Sequence, residues 1–302
     1  MNKILITGGS GLLGSNISRL ATSKFDVYAT YNRNEVRMKD VHFFGIDLIK
    51  KENLNIIEQI KPNFIIHCAA LTNVDYCEEY PNEAYDQNVL TSVHISEIAR
   101  KIGCYLICIS TDAVFDGNKG NYKEDDKPSP INIYGKTKLE AEQAALSIYP
   151  DSCIVRTSIY GWNKIDKLSL AEWMLDKLIN NEGLPGLRDV FFSPMLVNDL
   201  TKILFRLYEV KYKGIIHIAG SESCSKLDFA YKIVEVFGLD KSLIKPISIS
   251  KLKLKAPRPM NMSLSTSRAE EILKERLPGV KEGLMEMKRL REEGYVEKLK
   301  YD

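Results

Sequence analysis

The chain has 302 residues, 44% of them hydrophobic and 27% charged, with a formal net charge of +2. That is ordinary globular composition, long enough to bury a core without disulfides or a structural metal. The near-balanced charge gives no support to a nucleic-acid or membrane-surface partner.

Met1 leads directly into strand-like Lys3–Thr7, with no room for a signal peptide, and no apolar run is long enough to cross a bilayer. The six cysteines (Cys68, Cys77, Cys104, Cys108, Cys153, Cys224) lack CxxC or zinc-ligand spacing and read as free thiols of a reducing compartment. A cytoplasmic protein is the expectation. Leu13, Ile17 and Leu20 fall at helical spacing in 11–23, and strands follow at 27–31 and 42–46. Then come a helix at 54–60 ended by Pro62, a strand at 63–68, a long helix near 84–102, and a strand at 105–110. A helix at 133–147 and a strand at 153–156 close the series. Strands alternating with helices imply parallel pairing and a doubly wound α/β sheet covered on both faces.

Past Thr157 the rhythm loosens. Residues 168–180 read as a helix, 181–193 as a turn-rich stretch with Gly183, Pro185 and Gly186, and 198–208 as a helix capped by Asn198. A strand at 215–218, a helix at 225–237, a rigid extended Ala256-Pro257-Arg258-Pro259 and helices at 267–273 and 280–293 follow. The expected organisation is a nucleotide-binding domain over 1–160 that takes back about 196–218, and a smaller substrate-binding lobe over 161–302. Trp162 and Trp173 flank a segment that reads either as a lid or as ordinary lobe packing.

Thr7-Gly8-Gly9-Ser10-Gly11-Leu12-Leu13-Gly14 lies between the first strand and the first helix. Glycines at 8, 11 and 14 permit a tight turn, close approach of a pyrophosphate and close helix–strand packing, and the helix N-terminus offers N–H groups to that pyrophosphate. The fold class is therefore a Rossmann-type sheet with a dinucleotide site at Gly8, Ser10, Gly11, Leu12, Leu13 and Gly14. No acid ends the second strand; Arg33 stands there instead, which suits the 2′-phosphate of NADP as a bidentate donor and leaves NAD as the alternative. Asp47 and Leu48, after the third strand, sit either at the adenine end or in a local cap.

Tyr134 and Lys138 are four apart on a helix and share a face. A nearby ammonium stabilises a phenolate, and hydride transfer to a carbonyl needs a proton donor. Ser110-Thr111-Asp112 ends the fifth strand, where ligands bind in such sheets, and Thr111 could hydrogen-bond the substrate oxygen. The four histidines are scattered and no cluster has metal spacing.

With these motifs the chain resembles the dTDP-4-dehydrorhamnose reductase family of extended short-chain dehydrogenases nearly end to end. The carrying segments are 7–14, His67-Cys68-Ala69-Ala70-Leu71-Thr72-Asn73-Val74-Asp75, Asn88, Ser110-Thr111-Asp112-Ala113-Val114-Phe115-Asp116-Gly117, Tyr134-Gly135-Lys136-Thr137-Lys138, Arg156-Thr157-Ser158, and Arg258-Pro259. The resemblance implies NAD(P)H-dependent reduction of a 4-keto group on a nucleotide-linked deoxysugar. Tyr134 would be the general acid, Lys138 would bind the nicotinamide ribose and tune Tyr134, and Thr111 would orient the carbonyl. Ala69, Ala70, Leu71 and Ser110 would border the cofactor, and Asn88 would support the site. Thr72, Asn73, Val74, Asp112, Ala113 and Ile159 would border the sugar, and Arg258 would meet the sugar-nucleotide phosphates.

Ala113 and Ile159 stand where the rhamnose-forming enzymes carry tyrosine and tryptophan, so the sugar pocket has a different shape. Two other readings stay open. One is a nucleotide-sugar epimerase or dehydratase. The other is an NADP-binding regulatory subunit similar to the β-subunit of methionine adenosyltransferase, which shares the Tyr-Gly-Lys-Thr-Lys segment. A nucleotide-linked sugar is the expected ligand, and a homodimer stays open.

Overall fold

The computed structural model describes residues 1–301. It opens with strand β1 (Lys3–Thr7), helix α1 (Leu12–Ala21), β2 (Asp26–Tyr31), β3 (Val41–Gly45), α2 (Asn55–Ile60) and β4 (Phe64–His67). Helices α3 (Val74–Glu79) and α4 (Pro81–Tyr85) run through a π-helical segment, Asp86–Leu90, into α5 (Thr91–Ile102). β5 (Tyr105–Thr111), α6 (Ile133–Ile148), β6 (Cys153–Thr157) and the short β7 (Ile159–Tyr160) follow. The second half holds α7 (Leu170–Ile179), β8 (Leu184–Leu187), β9 (Phe191–Phe192), β10 (Met195–Leu196), α8 (Val197–Glu209) and β11 (Gly214–His217). It ends with β12 (Cys224–Ser225), α9 (Lys226–Phe237), β13 (Ile244–Ile247), α10 (Ser267–Leu273), α11 (Val280–Glu292) and α12 (Tyr295–Tyr301).

Seven strands form one sheet in the order β11-β6-β5-β4-β1-β2-β3, every pair parallel. Side chains alternate across the pleat, so Ile4 and Ile6 join Leu13 and Ile17 of α1 and Leu200 and Leu204 of α8 on one face. Leu5 joins Ile57 of α2 and Ile95 and Ile98 of α5 on the other. Burial on both faces is why these strands read as unbroken apolar runs. The chain leaves β1 toward β2 on one side, while β4 and β5 lie on the other. This reversal of strand order opens a crevice at the carboxyl ends of β1 and β4.

A second apolar cluster gathers Trp162, Met174, Phe192, Phe229, Leu284 and Met287, drawn largely from α7, α9 and α11. Trp162 belongs to this packing and donates its indole N–H to the Met287 carbonyl at 2.9 Å. Among the described residues no helix is long and apolar enough to cross a membrane.

The structure departs from the sequence reading at four places. Residues 181–193 contain β8 and β9 rather than turns alone. β8 pairs only with β13, and a two-stranded sheet has only edges, where Pro185 and Gly186 are tolerated. Asn198 is not the cap of α8: β10 runs straight into the helix, Leu196 takes the extended N-cap position, and Asn198 is buried inside the first turn. The helix expected over 84–102 is broken by the π-helical segment, and α3 ahead of it was not foreseen. α12 also lies beyond the terminal helices expected from periodicity.

Candidate active site

The loop from β1 to α1 is a cradle of backbone. Gly8 has φ +69°, a conformation that side chains resist, and a Cβ there would lie 2.8 Å from the Ala69 backbone. Gly9 N–H donates to the Thr30 carbonyl at 2.7 Å, tying the loop to β2. Gly11 is the extended N-cap of α1 and has no side chain to cap it. The helical ladder begins with Ser15 N–H donating to the Gly11 carbonyl at 2.9 Å, which leaves the preceding N–H groups of α1 without intrahelical acceptors. Leu12, Leu13 and Gly14 border a cleft of about 520 Å³. Bare glycine backbone, free N–H groups and the positive end of a helix fit the diphosphate of a dinucleotide.

Beside the cradle, Thr7 Oγ1 accepts from Cys68 N–H at 3.2 Å and Ala69 N–H at 3.3 Å, and pairs with His67 Nδ1 at 2.7 Å. Burial, with a smaller contribution from the Lys138 charge, pushes the His67 imidazole down to about 3. It is therefore a neutral hydrogen-bonding group.

Thr111 ends β5 and caps a single 3₁₀ turn: its Oγ1 accepts from Ala113 N–H at 3.1 Å and donates to Asp112 Oδ1 at 3.0 Å. Asn132 caps α6, accepting from Gly135 N–H at 2.8 Å and donating to the Pro257 carbonyl at 3.0 Å, which fixes the turn that carries Tyr134. A Cβ at Gly135 would collide with the Ala113 carbonyl oxygen, so this glycine lets α6 close onto the Thr111 turn. The start of α6, with Tyr134, is thereby brought against the Thr111 turn. One turn on, Lys138 is buried and donates to the Ile109 carbonyl at 2.8 Å. Thr111, Tyr134 and Lys138 all line the cleft that the glycine cradle borders.

The electrostatics differ from the simple expectation of a depressed phenol. Burial pushes Tyr134 up to about 12, against a smaller lowering contribution from Thr111. Lys138, itself lowered by burial, places its ammonium on a backbone carbonyl. The phenol thus stays protonated at neutral pH, the state a proton donor requires. Burial also pushes Asp112 up to about 6, and its Oδ2 is buried without a hydrogen-bond partner.

A second cavity of about 410 Å³ continues from the cradle toward β2 and β3, bordered by Tyr31, Arg33, Leu48, Ala69, Leu71 and Glu83 among others. Arg33 lies at its rim, its guanidinium 3.0 Å from Glu83 Oε1, and Glu83 Oε2 accepts from the Tyr76 hydroxyl at 2.7 Å. Ala70 borders both cavities. Asp47 borders neither; its Oδ1 accepts from Ile49 N–H at 3.1 Å, the local-cap alternative.

On the sugar side, Thr72, Asp112 and Ile159 line the larger cleft, while Asn73, Val74, Ala113 and Arg258 do not. Asn73 caps α3 through Tyr76 N–H, Val74 opens that helix, and Ala113 is buried in the 3₁₀ turn. Arg258 is held 3.1 Å from Asp75 and donates to the Ala256 carbonyl. The Ser110 hydroxyl donates to Glu142 Oε1, so its side chain serves a buried ion pair, and the residue still borders the cleft. Glu142 and Arg156 are 2.7 Å apart, 3% and 2% exposed.

Asn88 sits in the π-helical segment, accepts from Leu71 N–H at 2.8 Å and donates to Thr137 Oγ1 at 3.0 Å, joining the β4 loop to α6. Asn163, Ile165 and Lys167 lie in the 161–170 segment that the sequence left open as a lid or as lobe packing, and they were not singled out there; Ser158 and Glu83 were missed as residues of the two cavities. The only available signal was their position in the segments that follow β6 and α3.

A family model described as the RmlD substrate binding domain matches residues 1–291. The chain is 32% identical over 296 residues to methionine adenosyltransferase 2 subunit beta of Bos taurus, covering 93% of this chain and 87% of that protein. It is also 32% identical over 289 residues to a dTDP-4-dehydrorhamnose reductase of Aggregatibacter actinomycetemcomitans, covering 90% and 93%. Among solved structures, a dTDP-4-dehydrorhamnose reductase from Bacillus anthracis in complex with NADP superposes with a TM-score of 0.82 at 27% identity, covering 96% of this chain and 99% of that one.

Proposed function

The chain belongs to the RmlD substrate binding domain family, and we propose that it is an NADP-dependent oxidoreductase that reduces the 4-keto group of a nucleotide-linked deoxysugar. The observation that carries this reading is the convergence of Thr111, Tyr134 and Lys138 on a cleft bordered by a glycine cradle. The NADP-bound relative of similar architecture supports the cofactor.

The N–H groups of Leu12 and Leu13 hold the diphosphate, with Ala69, Ala70 and Leu71 along its path. Arg33 exchanges Glu83 for the 2′-phosphate. The bound cofactor supplies a hydride to the carbonyl carbon. Tyr134 gives its phenolic proton to the carbonyl oxygen, forming the alcohol, and regains a proton from solvent. Lys138 moves from the Ile109 carbonyl toward the nicotinamide ribose and stabilises the phenolate left on Tyr134. Thr111 orients the carbonyl, and Asp112 Oδ2, lacking a partner, accepts a hydrogen bond from a sugar hydroxyl. Thr72 and Ile159, which line the cleft, shape the sugar pocket. A cytoplasmic location suits a reductase that draws on the NADPH pool.

A second reading, a cofactor-binding regulatory subunit, is favoured by the 32% identity to methionine adenosyltransferase 2 subunit beta over 93% of this chain. Incubation with NADPH and a panel of nucleotide-linked 4-keto sugars separates the two. Turnover on one of them, reduced by roughly 10²–10⁴-fold in Tyr134→Phe as expected for loss of a general acid, supports the reductase. NADPH binding without turnover on any sugar supports the regulatory subunit.

A further inference from the structure

The segment between β7 and α7 carries a cation that faces the cleft. Its backbone is fixed from within: Asn163 N–H donates to Glu172 Oε1 at 2.8 Å, and Ser169 Oγ donates to the Gly161 carbonyl at 2.7 Å. Asn163 Nδ2 donates to the Lys167 carbonyl at 2.6 Å, and Asn163, Ser169 and Glu172 are all buried. The Lys167 side chain, by contrast, is exposed and reaches toward the β4 loop, its Nζ 3.4 Å from Thr72 Oγ1. At that length between exposed groups the contact holds the ammonium only weakly.

Lys167 borders both cavities. The other residues common to the two come from the glycine loop, the end of β4 and Asn34, so Lys167 is the single charged side chain in the overlap. The overlap therefore has the backbone of Gly8, Ser10 and Gly11 on one side, with the positive end of α1 next to it, and one ammonium on another. Two facing donors of positive charge suit a ligand bearing negative charge between them, and a lysine on a flexible stem meets a phosphate as a point charge.

We propose that Lys167 is a binding residue for the diphosphate of the dinucleotide, closing its ammonium over the group that the glycine cradle holds from below. This rests on the reading that the cleft takes a nicotinamide dinucleotide. Neighbouring Lys164 has a different task, since its Nζ donates to the Leu299 carbonyl at 2.8 Å.

Isothermal titration of NADPH and of ADP-ribose into the full chain tests this without any turnover. ADP-ribose keeps the diphosphate and lacks both the nicotinamide and the 2′-phosphate. Lys167→Met is expected to weaken both ligands by about tenfold, the scale of one charge-assisted contact. Lys167→Arg is expected to stay within about threefold, and added salt should cost the wild type more affinity than Lys167→Met. An unchanged melting temperature of Lys167→Met is expected from an exposed side chain. Wild-type-like binding of both ligands by Lys167→Met overturns the assignment. A loss confined to NADPH also overturns it, placing the contact elsewhere on the dinucleotide. Failure of the wild type to bind either ligand overturns the dinucleotide reading itself, and this assignment with it.

Discussion

Asp112 shows how a single residue registers its surroundings. It is 5% exposed, its Oδ2 has no partner, and burial raises its carboxyl from 3.8 to about 6. A raised carboxyl favours the folded state in its protonated form, so this contribution is full below about pH 4 and is lost as pH rises through 6. Asp112→Asn, which cannot ionise, is therefore expected to unfold at higher urea than the wild type at pH 8, by up to about 3 kcal/mol. The difference should vanish near pH 4. An Asn variant that is less stable than the wild type at both values would show that the carboxylate is stabilised in the fold. Tyr134 is the companion case: its identity as a candidate acid was legible from its spacing to Lys138. Its protonation state was not, because burial outweighs a neighbour only once both are placed.

At the scale of elements, the first half of the chain was legible because each buried strand is a short apolar run and each covering helix repeats at helical period. Strands β1, β4, β5 and β6 follow this rule, with Ile4, Leu5, Ile6, Phe64, Ile65 and Ile66 fully buried. The π-helical segment was not legible, since one extra residue per turn leaves no mark in composition. Yet it holds Asn88 between the Leu71 backbone and Thr137. The edge strands β8 and β13 were hidden by their glycine and prolines. The Asn132 cap and the Gly135 approach explain why a Tyr-Gly-Lys string is useful at the start of α6, a reason that spacing alone does not provide.

The pair between α6 and β6 gives the sharpest test at this scale. Glu142→Gln leaves the Arg156 charge buried without its counter-ion and is expected to cost about 3–5 kcal/mol in denaturant unfolding. Lys101→Met, which breaks the exposed pair with Glu58, should cost less than about 1 kcal/mol. Equal costs would mean that burial does not set the value of these pairs.

Over the whole molecule, the sheet topology places the glycine cradle, the Thr111 turn and α6 around one crevice, and the β7–α7 segment of the second half closes its side. The dinucleotide half of the site was readable because its motifs are local in sequence. The sugar half was readable only in part: Thr72, Asp112 and Ile159 were named from the sequence, whereas Ser158 and Asn163 join them only after the chain has folded, and such assembled pockets set specificity. Family membership carries the fold and the reaction class, and it leaves reduction and regulation to be separated by chemistry. The most direct measurement is the fate of labelled hydride. The protein would be incubated with NADPH deuterated at the transferred position and a nucleotide-linked 4-keto sugar, and the sugar read by mass spectrometry and NMR. The account predicts deuterium on the former carbonyl carbon, in amount equal to the NADPH consumed. NADPH that binds but leaves no deuterium in any sugar of the panel would contradict it.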